Sequence, residues 1–190
     1  MTLPAQYAWL ARETAPKMLV AALSLYGTLE TAGAKNNPQI LAWADEVGKA
    51  YPTAYNKWAA DFYEHDSIPW CGLGMAIAAT RAGREPVASY LSALAWANGG
   101  AGWVKVPVAD AMLGDILVFK RTGGGHVAMY VGEDNTHFHM LGANQDDAFN
   151  IRRKPKAQCV GVIRPAYINR PANVRKVRLA AAGTLSQNEA

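Results

Sequence analysis

Over the first hundred residues apolar positions recur at helical spacing, and beyond Gly99-Gly100 they change to short alternating or continuous runs. Pro4 to Glu13 predicts a first helix, with Thr2 or Leu3 near its cap and Pro4 tolerated in the first turn. A second starts near Pro16 and carries Met18, Leu19, Ala22, Leu23 and Leu25 on to about Tyr26. Gly27 to Asn37 has turn and cap residues and no period. Asn37 then caps a helix opened by Pro38, with Ile40, Leu41, Trp43 and Ala44 inward and Gly48 as its stop. The aromatic-rich stretch Tyr51 to Glu64 holds a short helix at Tyr55 to Asp61. A further helix runs from Cys71 to about Arg81 and stops at Gly83, and Pro86 opens another over Val87 to Asn98.

The strand-like half begins with Trp103 to Val106 and continues with Asp115 to Lys120, after a Leu113-Gly114 turn. His126 to Gly132 is answered by Thr136 to Leu141 across the turn residues Glu133-Asp134-Asn135. Ala148 to Arg153 and Cys159 to Arg164 complete the set. Helices first and adjacent short strands afterwards predict an α+β fold, with N-terminal helices packed on an antiparallel sheet. One domain spans residues 1–165, and residues 166–190 read as a basic, flexible tail.

Composition narrows the class. A chain of 190 residues with 51% hydrophobic and 18% charged positions can bury one core without staples. No apolar run approaches the roughly 20 residues of a membrane span. The start, Met1-Thr2-Leu3-Pro4-Ala5-Gln6, lacks a basic region followed by an apolar core, so no secretory signal is expected and synthesis is placed in the cytoplasm. The net charge of +4 collects at Arg152, Arg153, Lys154 and Lys156 and again along the tail, which suits an anionic polymer such as cell wall. No basic stripe interleaved with aromatics points to nucleic acid. Two cysteines give no disulfide framework, and Cys159, in an apolar strand, reads as an inert buried thiol. His137 and His139 share a strand face, but no second ligand pair accompanies them, so neither a metal nor another cofactor is called for. Gly123-Gly124-Gly125 precedes a strand and lacks the Lys-Ser/Thr of a phosphate loop.

The candidate chemistry centres on Cys71 and His126. A lone cysteine in an apolar stretch is usually core. Cys71, however, follows Pro69-Trp70 at a helix start, where unpaired N–H groups and the helix dipole favour a thiolate. The small residues after it (Gly72, Gly74, Ala76, Ala78, Ala79) let that helix approach a sheet, and His126 opens the central hairpin behind three glycines. His126 is then the general base toward Cys71, and a third polar group should fix its tautomer. Asn144 is the first choice for that role, with His139 second and Gln145 also available. The Cys71 N–H would hold the oxyanion. Trp70 and Trp103 are candidate cleft walls, Gly125 a point of close substrate approach, and Glu30 a weaker candidate. Asp115 reads as an ordinary turn residue.

Three blocks, Ile68-Pro69-Trp70-Cys71-Gly72, Leu113-Gly114-Asp115-Ile116-Leu117-Val118-Phe119 and Gly125-His126-Val127-Ala128-Met129-Tyr130-Val131-Gly132, resemble in this order the NlpC/P60 and CHAP superfamily. Tyr26 to Gly33, Asn37-Pro38 and Leu141-Gly142-Ala143-Asn144-Gln145 resemble a phage and prophage branch of it, and the likeness covers roughly residues 20 to 165. It implies a papain-like fold and an endolysin-like thiol peptidase or amidase acting on peptidoglycan. Cys71 and His126 would be catalytic; NlpC/P60 members would point to His139 as the third residue, CHAP members to Asn144. Where NlpC/P60 proteins carry Asp-Cys-Ser-Gly, this chain has Trp70-Cys71-Gly72, and no wall-binding repeat follows. Delivery to the periplasm or wall would then depend on a holin, a virion or a secretion system, with the C-terminal tail as the surface for such a partner. The rival expectation is a catalytically silent phage structural or wall-binding module with the same fold.

Overall fold

The computed structural model describes residues 2–33 and 35–186. The last four positions of the expected tail therefore lie outside the described residues. No described helix is long and apolar enough to cross a membrane. The fold is α+β, with four α-helices preceding a six-stranded antiparallel sheet.

The first predicted helix is a 3-10 segment, Ala5–Arg12. Its buried residues, Tyr7 and Leu10, are three apart, the spacing that a 3-10 helix brings onto one line. Helix α1 (Lys17–Ser24) follows Pro16, and α2 (Pro38–Ala50) is capped by Asn37, whose side chain accepts from the Gln39 N–H at 2.9 Å. Helix α2 runs through Gly48 rather than stopping there. A Cβ on Gly48 would sit 3.3 Å from the Asn56 carbonyl oxygen, so this glycine serves the close approach of α3 (Ala54–Phe62). Helix α4 (Cys71–Arg81) has its first nine residues buried and packs on α1 and α2 on one side and on the sheet on the other. It ends as foreseen at Gly83, φ +72°, with Arg84 N–H reaching back to the Ala79 carbonyl at 2.9 Å.

The helix expected over Val87 to Asn98 does not form. Its first part is a turn with Ser89 in the left-handed region (φ 56°), and only Ala93–Asn98 is helical, as a 3-10 segment. The strands are β1 (Trp103–Val106), β2 (Ile116–Arg121), β3 (Gly124–Glu133), β4 (His137–Gly142), β5 (Asn150–Pro155) and β6 (Cys159–Pro165), in the order β1-β6-β2-β3-β4-β5. Alternation divides them between two cores. Ile116, Val118, Val127, Met129, Val131 and Leu141 join the helices, while Leu117, Phe119, Ala128, Tyr130, Phe138 and Met140 build a smaller cluster on the other face. Below β2, Asp115 is fully buried in a two-point ion pair with Arg164, both contacts at 2.8 Å, which makes it structural.

The segment after β6 is not a free tail. It returns along the second face, where Arg175 O accepts from Leu113 N, Val177 O from Glu133 N and Glu133 O from Leu179 N, each at 2.9 Å. Thr184 and Ser186 then bond the main chain of Arg153 on β5.

Candidate active site

Helix α4 places Cys71 as its first residue. The position before it is Trp70, which supplies no capping side chain, so the positive end of the helix dipole lies at the cysteine end. The first intrahelical bond is Gly74 N–H to Trp70 O at 2.8 Å. Cys71 is 6% exposed, and the loop before it has Ser67 and Pro69 exposed and Ile68 half-buried. The small residues behind it do specific work. A side chain at Gly72 would collide with the Tyr90 carbonyl oxygen, and one at Gly74 with Ala143 Cβ and the Phe149 ring.

Those two contacts tie α4 to segments that border the sheet near His126. Gly74 lies one turn along the same face as Cys71 and touches Ala143, which leads directly into Asn144 and Gln145. Gly72 touches the Tyr90–Leu91 backbone, and Leu94, three residues on, fills the space over Gly125 beside His126. The helix that begins at Cys71 and the strand that carries His126 are thus linked by two independent routes, one through Ala143 and one through Leu94.

His126 is fully buried on β3, opposite Phe119, and its Nε2 lies 3.3 Å from Gln145 Oε1. The orientation of that amide is settled by its other end. Gln145 Nε2 faces three acceptors, Gly142 O (3.1 Å), Asn150 O (2.9 Å) and Asn150 Oδ1 (3.1 Å), so it must be the NH2. The oxygen then faces His126, and the imidazole must donate from Nε2. The basic lone pair of the neutral ring belongs to Nδ1.

Gln145, named third among the candidates, is thus bonded to the ring. Asn144 lies one position earlier, buried, with φ 55°. Asp146 and Asp147 are also left-handed (φ 52° and 57°), a conformation costing of order 1 kcal/mol or more for each such residue. Cross-bonds hold the turn: Gln145 N to Ala148 O (3.0 Å), Asn150 Nδ2 to Gln145 O (2.7 Å) and Arg152 Nε to Asp146 Oδ2 (2.7 Å). Gly142 serves the close approach of β3, since a Cβ there would meet Ala128 Cβ at 2.6 Å, while the Gln145 side chain lies at ordinary contact distance.

His139 stands elsewhere. It pairs with Gly132 near the far end of the hairpin, with Nδ1 2.7 Å from the Tyr7 hydroxyl and Nε2 3.1 Å from Asp134 Oδ2. Burial lowers its pKa and Asp134 opposes that shift. Asp134 itself is pulled upward by burial, but the Thr136 and His137 N–H groups, Arg153 and His139 outweigh this and hold its carboxyl well below the ordinary range. Among the described residues no group of three or more His, Cys, Asp or Glu is placed to hold a metal.

Neither tryptophan lines a cleft. Trp70 is fully buried against Trp43, with Nε1 bonded to Glu30, and Trp103 is 8% exposed beside Trp96, on the edge strand β1. Gly125 does permit close approach, but the neighbour that uses it is Leu94. Glu30 belongs to the surroundings of Cys71 through Trp70, and its carboxyl is raised, chiefly by burial, against the lowering bond from Trp70.

Sequence reasoning missed a strap. Asp66 Oδ2 accepts the N–H groups of Thr31 and Asn37, each at 2.8 Å, while Glu30 N–H bonds Asp147 O at 2.9 Å. The loop from Gly27 to Asn37 thus ties the cysteine loop to the Gln145 turn. Tyr63 was also missed. Its hydroxyl bonds the carbonyls of Pro69 (2.6 Å) and Ile68 (3.2 Å), and burial first, then the neighbouring Cys71, raises its pKa far above the usual value. Asp66, five residues before the cysteine, was the one signal available for the strap. Nothing local marks Asn150.

No protein family, curated protein or solved structure matches this chain. The second thiol is of a different kind from Cys71 in position and environment. Cys159 lies in the sheet, and burial pushes it up to about 11, against weak opposing bonds from Gly161 and Val118.

Proposed function

We propose that the chain is a papain-like cysteine hydrolase that cuts peptide or amide bonds in bacterial peptidoglycan. The observation that carries this reading is the His126–Gln145 bond, with the amide fixed from behind by Gly142 and Asn150, on a sheet against which the helix beginning at Cys71 packs. An imidazole locked as the Nε2–H tautomer, next to a cysteine at a helix N-terminus, is what thiol acyl transfer requires.

In this mechanism Nδ1 of His126 takes the Cys71 proton and the sulfur attacks the scissile carbonyl. The resulting oxyanion lies at the N-terminus of α4, where the Cys71 N–H can donate to it. His126 then returns the proton to the departing amine and a thioester remains. Water, deprotonated by the same nitrogen, attacks the thioester and restores the thiol. The assignment to the cell wall draws on the sequence blocks around Cys71, His126 and Gln145, with the net charge of +4 favouring an anionic polymer. Phage- or secretion-borne delivery belongs to the same proposal.

Wild-type and Cys71→Ala protein incubated with isolated sacculi, followed by mass spectrometry of the released fragments, test it. Fragments released by wild type alone, with new amino termini, are expected. Silence of the wild type on sacculi of several chemotypes would sink the hydrolase reading and leave a wall-binding module.

A further inference from the structure

Helix α3 buries Asn56 and Ala59, yet it carries a second apolar line at Tyr55, Trp58 and Phe62, spaced i, i+3, i+7. That line would normally face a core. Here Trp58 is 49% and Phe62 44% exposed, and their rings stack on each other at 5.0 Å and 21°. Tyr55 extends the line, 5.3 Å from Trp58. The two ends of α3 are tied to the segments that flank Cys71. The Tyr55 hydroxyl accepts from Leu91 N at 3.2 Å, on the segment against Gly72. Tyr63, directly after Phe62, bonds the Ile68 and Pro69 carbonyls of the cysteine loop.

We propose that Trp58 and Phe62 form a sugar-stacking subsite that takes the glycan strand of the substrate beside the Cys71 site. The choice of glycan rests on the hydrolase reading; the stacking chemistry rests on α3. A pyranose ring has an apolar C–H face and a hydroxyl edge. Aromatic faces, with their negative quadrupole, take the first. Lys57, Asp61, Glu64 and His65, exposed and close to the rings in sequence, are polar groups that could take up the second.

Size argues against a protein occupant. Two half-exposed aromatic side chains present roughly 200 Å². A stable protein interface needs about 800 Å² per partner. The surface fits one or two sugar rings.

The test uses Cys71→Ala protein, so that nothing is cleaved, co-sedimented with isolated glycan strands stripped of their peptides. Binding should become roughly tenfold weaker with Trp58→Ala or Phe62→Ala and be largely kept with Trp58→Phe, the loss expected for removing one aromatic face. Circular dichroism confirms that each variant is folded. Absence of glycan binding, or binding indifferent to Trp58→Ala, overturns the subsite, as does a concentration-dependent dimer that Trp58→Ala abolishes. The two proposals fail separately. Trp58-dependent glycan binding by a protein that cleaves no sacculus removes the hydrolase and keeps the subsite, and cleavage without such binding does the reverse.

Discussion

Replacing Gln145 by methionine and by glutamate separates its two jobs. Methionine keeps the length and removes both donor and acceptor. The amide's two protons serve three buried oxygens, Gly142 O, Asn150 O and Asn150 Oδ1. Leaving such groups unsatisfied costs about 1–3 kcal/mol each, and Asn150 keeps its bond to the Gln145 main chain, so a loss of about 3 kcal/mol is expected. Glutamate offers His126 a stronger acceptor but sets a carboxylate oxygen against those same three oxygens. It should lose more, about 3–5 kcal/mol at pH 7.5, as for a buried charge without its partner. The sign with pH follows. The introduced carboxyl has a folded-state pKa above its unfolded one, so its penalty is full at neutral pH and shrinks as acid protonates it in the folded protein. Urea unfolding at pH 7.5 and 5, followed by tryptophan fluorescence, reads both variants. The ring nitrogens of His126, observed by NMR in Cys71→Ala protein, should show Nε2–H in the parent and mixed tautomers with methionine. A glutamate variant as stable as wild type at pH 7.5, or an Nδ1–H ring in the parent, would refute the amide orientation and the base assignment built on it.

Gly74→Ala should destabilise by about 1–3 kcal/mol and cut activity, because its methyl meets Ala143; adding Ala143→Gly should restore part of both in the same urea and sacculus assays. His139 has a lowered folded pKa, so the unfolded chain takes up its proton first, from about the ordinary histidine value of 6.5 downward. Its stabilising contribution is full above that pH and is lost as pH falls through the folded value. Melting temperatures between pH 7.5 and 5.5 should therefore drop more for wild type than for His139→Gln, and parallel curves would contradict this. Iodoacetamide at pH 7.5 should label Cys71 and spare Cys159, whose thiol is pushed up to about 11; peptide mapping that finds Cys159 modified first would overturn the ranking.

Much of this architecture was legible because it is written locally. Asn37-Pro38 fixes the start of α2, Gly83 the end of α4, and period-two alternation fixes both faces of the β3–β4 hairpin. Val87 to Asn98 misled because its apolar spacing suits a helix, whereas the Tyr90 and Leu91 carbonyls are turned toward Gly72, a demand from another element. Of the three candidates to orient His126, the bond falls to Gln145, the least favoured, one position after the first choice. Asn144 and Gln145 are equally polar and adjacent, and it is the Gly142 carbonyl and Asn150 that hold the Gln145 amide toward His126. His139 was attractive by residue type, but its position along β4 puts it with Tyr7 and Asp134. The tryptophans were read as walls because one precedes the cysteine; their burial comes from Trp43 and Trp96.

An uncharged amide behind the base has a consequence for timing. A carboxylate in that position would stabilise an imidazolium at every stage of turnover. Gln145 gives direction without charge, so in the proposed mechanism the counter-ion of the protonated His126 is the Cys71 sulfur. Once that sulfur has bonded to carbon it carries no charge, and the imidazolium becomes a stronger acid. The proton is then released most readily at the moment the departing nitrogen needs it, and acylation itself is the signal.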